Sequence, residues 1–230
     1  MDILKHNNRK RLYWIGAGIL IICLFLTVAY TLVKDLPGGF ADQKLSHKTG
    51  LEGTMRIPLG KTPEDAVLKF RDFKTMQVIH KESVKEGMLL FIKRFNKEEG
   101  TDLQLEFVRK TWLGWKWGWG GGFSIGSITN SSLDYMVMQK INGVNNPFPL
   151  VYGEVFNPSI TNINIVTEGQ NADVYAAKLI DAQAEHKIWL SLLPESLTTP
   201  FEIQAFNAKG DIVVRKTIND LTDSGEITIK

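Results

Sequence analysis

Apolar positions along this chain fall into three regimes, and the first is the simplest. From Leu12 to Val33 there are 22 residues without a charge. As a helix that run reaches about 33 Å, enough to cross a hydrocarbon core of about 30 Å. Tyr13, Trp14 and Tyr30 stand near its ends, where amphipathic rings favour the headgroup boundary. It has no polar face, which argues against a buried helix of a soluble protein. The rival reading is a cleaved signal peptide, whose apolar core usually runs about 7 to 15 residues and is therefore shorter than this one. Cleavage after Ala29 or Ala41 has a mediocre context, and Ile22 occupies the position before Cys23 where a lipoprotein cut wants a small residue. The run is expected to stay as a signal-anchor, a transmembrane helix over 12–33 that makes the lipid bilayer the first partner.

The second regime is irregular. Residues 34–61 mix five glycines, two prolines and scattered charges without periodicity, and they read as a linker.

The third regime is patterned throughout. Thr62-Pro63-Glu64-Asp65 supplies an N-cap, a proline for the first helical position and a capping-box acid, and Ala66, Val67 and Phe70 follow at helical spacing. A short amphipathic helix over 63–73 is expected. Strand-like runs follow at 75–82, 88–95, 102–110 and 112–119, joined by glycine-containing links of hairpin length. Leu103, Leu105 and Phe107 alternate with Gln104 and Glu106, which predicts one face on a core and the other toward water. After Gly120-Gly121-Gly122 the composition turns to Asn, Ser and Thr. Candidate strands recur at 151–156, 160–166, 172–179, 186–192, 201–207, 211–217 and 226–229, with a further strand near Tyr135 to Ile141 whose sheet is open. The expected fold class is α+β: the transmembrane helix, a small helix-plus-antiparallel-sheet domain over 62–125, and an all-β immunoglobulin-like sandwich over 126–230.

Charge sets the orientation. The formal net charge of +2 divides into +3 for residues 1–11, which hold Lys5, Arg9, Lys10 and Arg11 against Asp2, and −1 for everything after them. The positive-inside rule places this short tail in the cytoplasm and the C-terminal region on the extracytoplasmic side of the cell membrane. A near-neutral body offers no basic field for phosphates, so nucleic acid is not an expected partner. Cys23 is the only cysteine, which excludes an intrachain disulfide and thiolate zinc.

The order of a basic tail, one span, the Thr62-Pro63-Glu64-Asp65 helix, Gly114-Trp115-Lys116-Trp117, Val151-Tyr152-Gly153-Glu154 and Phe206-Asn207-Ala208-Lys209-Gly210 resembles a group of uncharacterised single-pass membrane-anchored exported proteins of Gram-positive bacteria. The resemblance runs over the whole chain and implies localisation and architecture, with no activity attached.

Candidate chemistry is sparse. On a strand Trp115, Trp117 and Trp119 share one face with Leu113, while Trp112 and Lys116 share the other. Such a row stacks on sugar rings or a peptide when exposed, and forms a core beneath the 63–73 helix when covered; the covered arrangement is expected. Gly122-Phe123-Ser124-Ile125-Gly126 matches the G-x-S-x-G nucleophile pattern, with His186 downstream, but the residues after it make a poor helix and no βαβ alternation surrounds it. His6, His47, His80 and His186 lack metal-ligand spacing. Glu98, Glu99 and Asp102 flank a hairpin, where acids are usually solvated. No phosphate or dinucleotide fingerprint is present, so no cofactor is expected. These features favour a non-enzymatic binding or accessory protein of the cell envelope, whose partner is another envelope protein or a cell-wall polymer. The alternative is an envelope hydrolase acting on a cell-wall or surface substrate through Ser124 or the acids.

Overall fold

A computed structural model of the chain describes residues 2–72, 75–85, 87–94, 102–123, 131–169, 172–182 and 187–228. They group into two compact units, Met1–Ile57 with Thr111–Leu113, and Pro58–Lys110 with Gly114–Lys230. The class is α+β, with one N-terminal apolar helix and mostly antiparallel sheets.

In the first unit the opening run forms α1 (Asp2–Asp35). Its segment Tyr13–Asp35 is 23 residues with a mean hydropathy of 2.4, long and apolar enough to cross a membrane, and none of that window is buried against protein. The chain then turns at Leu36-Pro37-Gly38-Gly39 into α2 (Phe40–Lys48), a helix within the stretch expected to be an irregular linker. Two buried polar side chains explain it. The Asp42 carboxylate accepts from the amides of Gly38 (2.7 Å) and Ile57 (3.0 Å), and Ser46 Oγ accepts from the Met55 amide (2.8 Å). The helix start and the irregular chain returning at Met55–Ile57 are therefore held by acceptors that sequence periodicity does not register. The Phe40 ring stacks on Tyr30 at 5.9 Å.

The second unit is built in layers. Sheet A takes the order β1 (Leu59–Gly60), β5 (Gly114–Phe123), β4 (Asp102–Thr111), β3 (Gly87–Arg94), β2 (Met76–Val84). Helix α3 (Pro63–Arg71) lies on one face of it. Thr62 Oγ1 accepts from the Asp65 amide (3.1 Å), and Asp72 ends the helix in the left-handed region. Gly60 permits the close approach, since a Cβ there would stand 2.3 Å from the Ala66 nitrogen.

Sheet B has the order β10 (Lys178–Asp181), β11 (Lys187–Leu192), β7 (Leu150–Val155), β6 (Leu133–Met138), β14 (Ser224–Ile227). Residues 133–138, of open ownership in sequence, thus belong here. Sheet C has the order β13 (Ile212–Ile218), β12 (Phe201–Asn207), β8 (Ile160–Thr167), β9 (Val174–Ala176). The single strand expected over 172–179 is two strands, because the chain passes from sheet C to sheet B at Ala177.

Sheet B is apolar on both sides. Leu133, Tyr135, Val137, Val151 and Trp189 pack with Ile163, Ile165, Phe201, Ile203 and Val214 of sheet C. Met138, Leu150, Tyr152, Ile188 and Leu190 pack with Leu89, Phe91, Leu103, Leu105 and Phe107 of sheet A. Sheet A is therefore joined through its own apolar face to the strands that follow it, and residues 62–123 share a core with the C-terminal part. The opposite face of β4 does not meet water as its alternation predicts. Gln104 and Glu106 are buried, and Glu106 is covered by Arg71 of α3; a charged position under a helix has the same alternation as a solvated one.

Candidate functional site

Strand β5 carries the tryptophans and α3 decides their fate. Trp117 is 3% exposed, and its indole stacks on Phe70 of α3 with ring centroids 4.1 Å apart. Its Nε1–H donates to Glu106, which is fully buried. Arg71, in the last turn of α3, donates from Nε (3.0 Å) and Nη2 (3.3 Å) to the same carboxylate, and from Nη2 to the Gly120 carbonyl (3.0 Å). The guanidinium carbon also stands 4.9 Å from the Trp117 ring centroid. Helix, indole and acid thus form one locked group. Trp115 is half-buried with the Lys110 ammonium 5.8 Å from its ring, and Trp119 is half-buried against the core between sheets A and B. The tryptophan that stands free is Trp112, 82% exposed. Trp115, Trp117 and Trp119 accordingly present no continuous open face for a sugar ring or peptide.

A second polar group lies between sheets A and B. Lys93 on β3 and Glu154 on β7, each nearly fully buried, pair at 2.8 Å. Beside them the fully buried Asp134 on β6 accepts from the Glu154 amide through Oδ1, so a carboxylate stands where a strand carbonyl normally would. Gly153 makes room for this, since a Cβ there would fall 2.0 Å from the Asp134 carbonyl oxygen and 2.6 Å from its Oδ1. Asp134 Oδ2 has no hydrogen-bond partner among the described residues. Burial pushes the Asp134 carboxyl up to about 8, against the Glu154 amide bond that lowers it and with the Glu154 charge adding to the rise. Nearby, the Tyr152 hydroxyl donates to the Gly121 carbonyl (3.0 Å), and burial holds that phenol well above its ordinary range.

Neither group carries a sequence motif. The sequence signal for the second is a single charge set in a strongly apolar strand, as in Leu89-Leu90-Phe91-Ile92-Lys93 and Leu133-Asp134-Tyr135. Chemically, both groups satisfy charge inside the protein and hold layers in register. Ser124, His186, Glu98 and Glu99 lie outside the described residues, so no triad geometry is available from them. His80 Nε2 lies 3.2 Å from Glu82, which also pairs with Lys178 at 2.7 Å. Among the described residues no group of three His, Cys, Asp or Glu is placed to hold a metal ion.

The fold defines the class, a β-layered protein with one exposed apolar helix. No protein-family model, curated protein or solved structure matches the chain.

Proposed function

We propose that this protein is a membrane-anchored, non-catalytic binding or accessory component of the cell envelope, its β-rich part on the extracytoplasmic side. The observation that carries the reading is the helix segment Tyr13–Asp35, whose long apolar window is not buried against protein, a surface that water does not favour and lipid does. The cationic leader before it supports a cytoplasmic N-terminus. The non-catalytic reading is supported by where the polar groups found here point: Arg71, Glu106 and Trp117 bond to one another, and Lys93, Glu154 and Asp134 lie buried together between sheets A and B, leaving each set inside the protein.

The two sheets B and C support a further part of this reading. From β6 onward the strands fall as β10-β11-β7-β6 and β13-β12-β8-β9, with β14 at one edge, two facing antiparallel sheets that support the reading of this part as an immunoglobulin-like sandwich. Sandwiches of that kind present loops at their ends and serve on cell surfaces as binding modules. Another envelope protein or a cell-wall polymer is the partner this architecture suits.

The test is recovery of the tagged, full-length chain from detergent-solubilised membranes after crosslinking in intact cells, together with sedimentation on purified wall polymers. A reproducible partner or wall association supports the proposal. A chain that returns alone in both assays, or that cleaves wall material, overturns it.

A further inference from the structure

Large apolar side chains that remain exposed are unevenly distributed. Outside the span there are eight among the described residues, and four of them, Leu36, Phe40, Leu51 and Trp112, fall in the small first unit beyond α1. Trp112 is more exposed than Trp14 and Tyr13, the aromatic residues at the opposite end of the span, which stand at 79% and 78%. It occupies the two-residue tip between β4 and β5, and that tip, Thr111–Leu113, groups with residues 1–57.

Depth follows from the α1 to α2 turn. Tyr30 precedes the end of α1 by five residues, about 7.5 Å of helix at 1.5 Å per residue. Phe40 stacks on that ring, so α2 begins beside the last turns of the apolar helix rather than beyond them. The exposed charges of this segment are Lys44, Lys48 and Arg56 against Glu52, while Asp42 is buried. An apolar rim with a cationic excess, continuous with a membrane-crossing helix, has the chemistry of the headgroup boundary.

We propose that residues 36–57 and the hairpin tip at Trp112 lie in the headgroup layer at the C-terminal end of α1, with Trp112, Phe40, Leu36 and Leu51 in the lipid interface and Lys44, Lys48 and Arg56 against anionic phosphates. The protein then meets the bilayer twice, through a helix that crosses it and a shallow patch that rests on it. This inference rests on the reading of α1 as an anchor.

The test uses the full chain with Cys23→Ala, which removes the only cysteine. An environment-sensitive fluorophore is placed by Thr111→Cys, by Leu51→Cys or, as a reference in the exposed turn after β12, by Lys209→Cys. Each protein is reconstituted into phosphatidylcholine vesicles with or without phosphatidylglycerol, and lipids carrying a shallow nitroxide quencher are added. The expected result is about twofold quenching or more at positions 111 and 51, stronger with the anionic lipid, with little at position 209. Adding Trp112→Asp to the Thr111→Cys protein is expected to abolish quenching at 111. Equal, weak quenching at all three positions in a chain that floats with vesicles and resists carbonate extraction overturns the patch while leaving the anchor intact. Quenching seen in native membranes but absent from pure vesicles assigns the surface to a protein partner and overturns it as well. A chain extracted by carbonate removes the anchor reading, and the patch with it.

Discussion

The amide of Glu154 donates to the side chain of Asp134, not to a backbone carbonyl of the neighbouring strand. One carboxyl therefore fills the interruption in the β6–β7 ladder between the Leu133–Val155 and Met136–Tyr152 pairs, and also stands beside the Lys93–Glu154 ion pair. Because burial raises its pKa above that of the unfolded chain, it links folding to proton uptake.

The sign of that linkage is fixed by the direction of the shift. Burial holds the folded carboxyl at about 8, whereas in the unfolded chain it returns to its ordinary value of 3.8, so the folded state binds more protons between them. The contribution of Asp134 to stability is fullest below pH 4 and is lost as pH rises to 8, with a limiting slope of about 1.4 kcal/mol per pH unit. Asp134→Asn keeps the acceptor for Glu154 and removes the proton. Urea midpoints of the detergent-solubilised chain between pH 5 and 8 are expected to fall with pH in the parent and to fall less in the variant. Parallel profiles would contradict the assignment.

Lys93→Met leaves Glu154 buried without its ammonium partner at 2.8 Å. The expected loss is about 3 kcal/mol, since an uncompensated buried charge costs more than a buried pair gains. Lys93→Met with Glu154→Gln is expected to recover part of that loss, which a double-mutant cycle on chemical unfolding measures.

Trp117→Phe keeps the stack on Phe70 and deletes the donor to Glu106. A loss of about 2 kcal/mol in unfolding free energy is expected, with wall-polymer or partner binding unchanged. Reduced binding at unchanged stability would instead make the indole a ligand contact.

At the start of α3, Thr62→Ala removes the side-chain acceptor of the Asp65 amide. About 1 kcal/mol of destabilisation is expected, and Thr62→Ser is expected to restore most of it. Gly60→Ala tests how closely the helix rests on β1, and is expected to cost more than the lost cap because its Cβ meets backbone.

Local pattern made much of this fold legible. The Thr62-Pro63 start was readable because capping chemistry is local, and the helix duly spans Pro63–Arg71. Strands such as Phe201–Asn207 declared themselves by alternation. What stayed hidden depends on partners distant in sequence. Residues 40–48 are helical because Asp42 reaches Ile57, a contact no short window contains. Glu106 reads as solvated until Arg71, 35 residues away, is seen to cover it. Lys93 and Glu154 are 61 residues apart, so their pairing leaves in each strand only an isolated charge among apolar neighbours. The tryptophan row was legible as a row, whereas the exposure of Trp112 follows from where the β4–β5 turn falls.

The central strands β6 and β7 of sheet B are buried on both faces, and that carries a consequence for assembly. A layer sandwiched in this way cannot mature against one neighbour and wait for the other, since β7 alone would leave Leu150 and Tyr152, or else Val151 and Val155, facing water. Collapse of the three sheets is thereby coupled into a single event. Its edge partner β14 comes more than eighty residues after β6. A polypeptide emerging N-terminus first therefore pairs β6 with β7 early and leaves the other edge of β6 open until β14 has been delivered, an unpaired strand edge that persists through most of the making of this body.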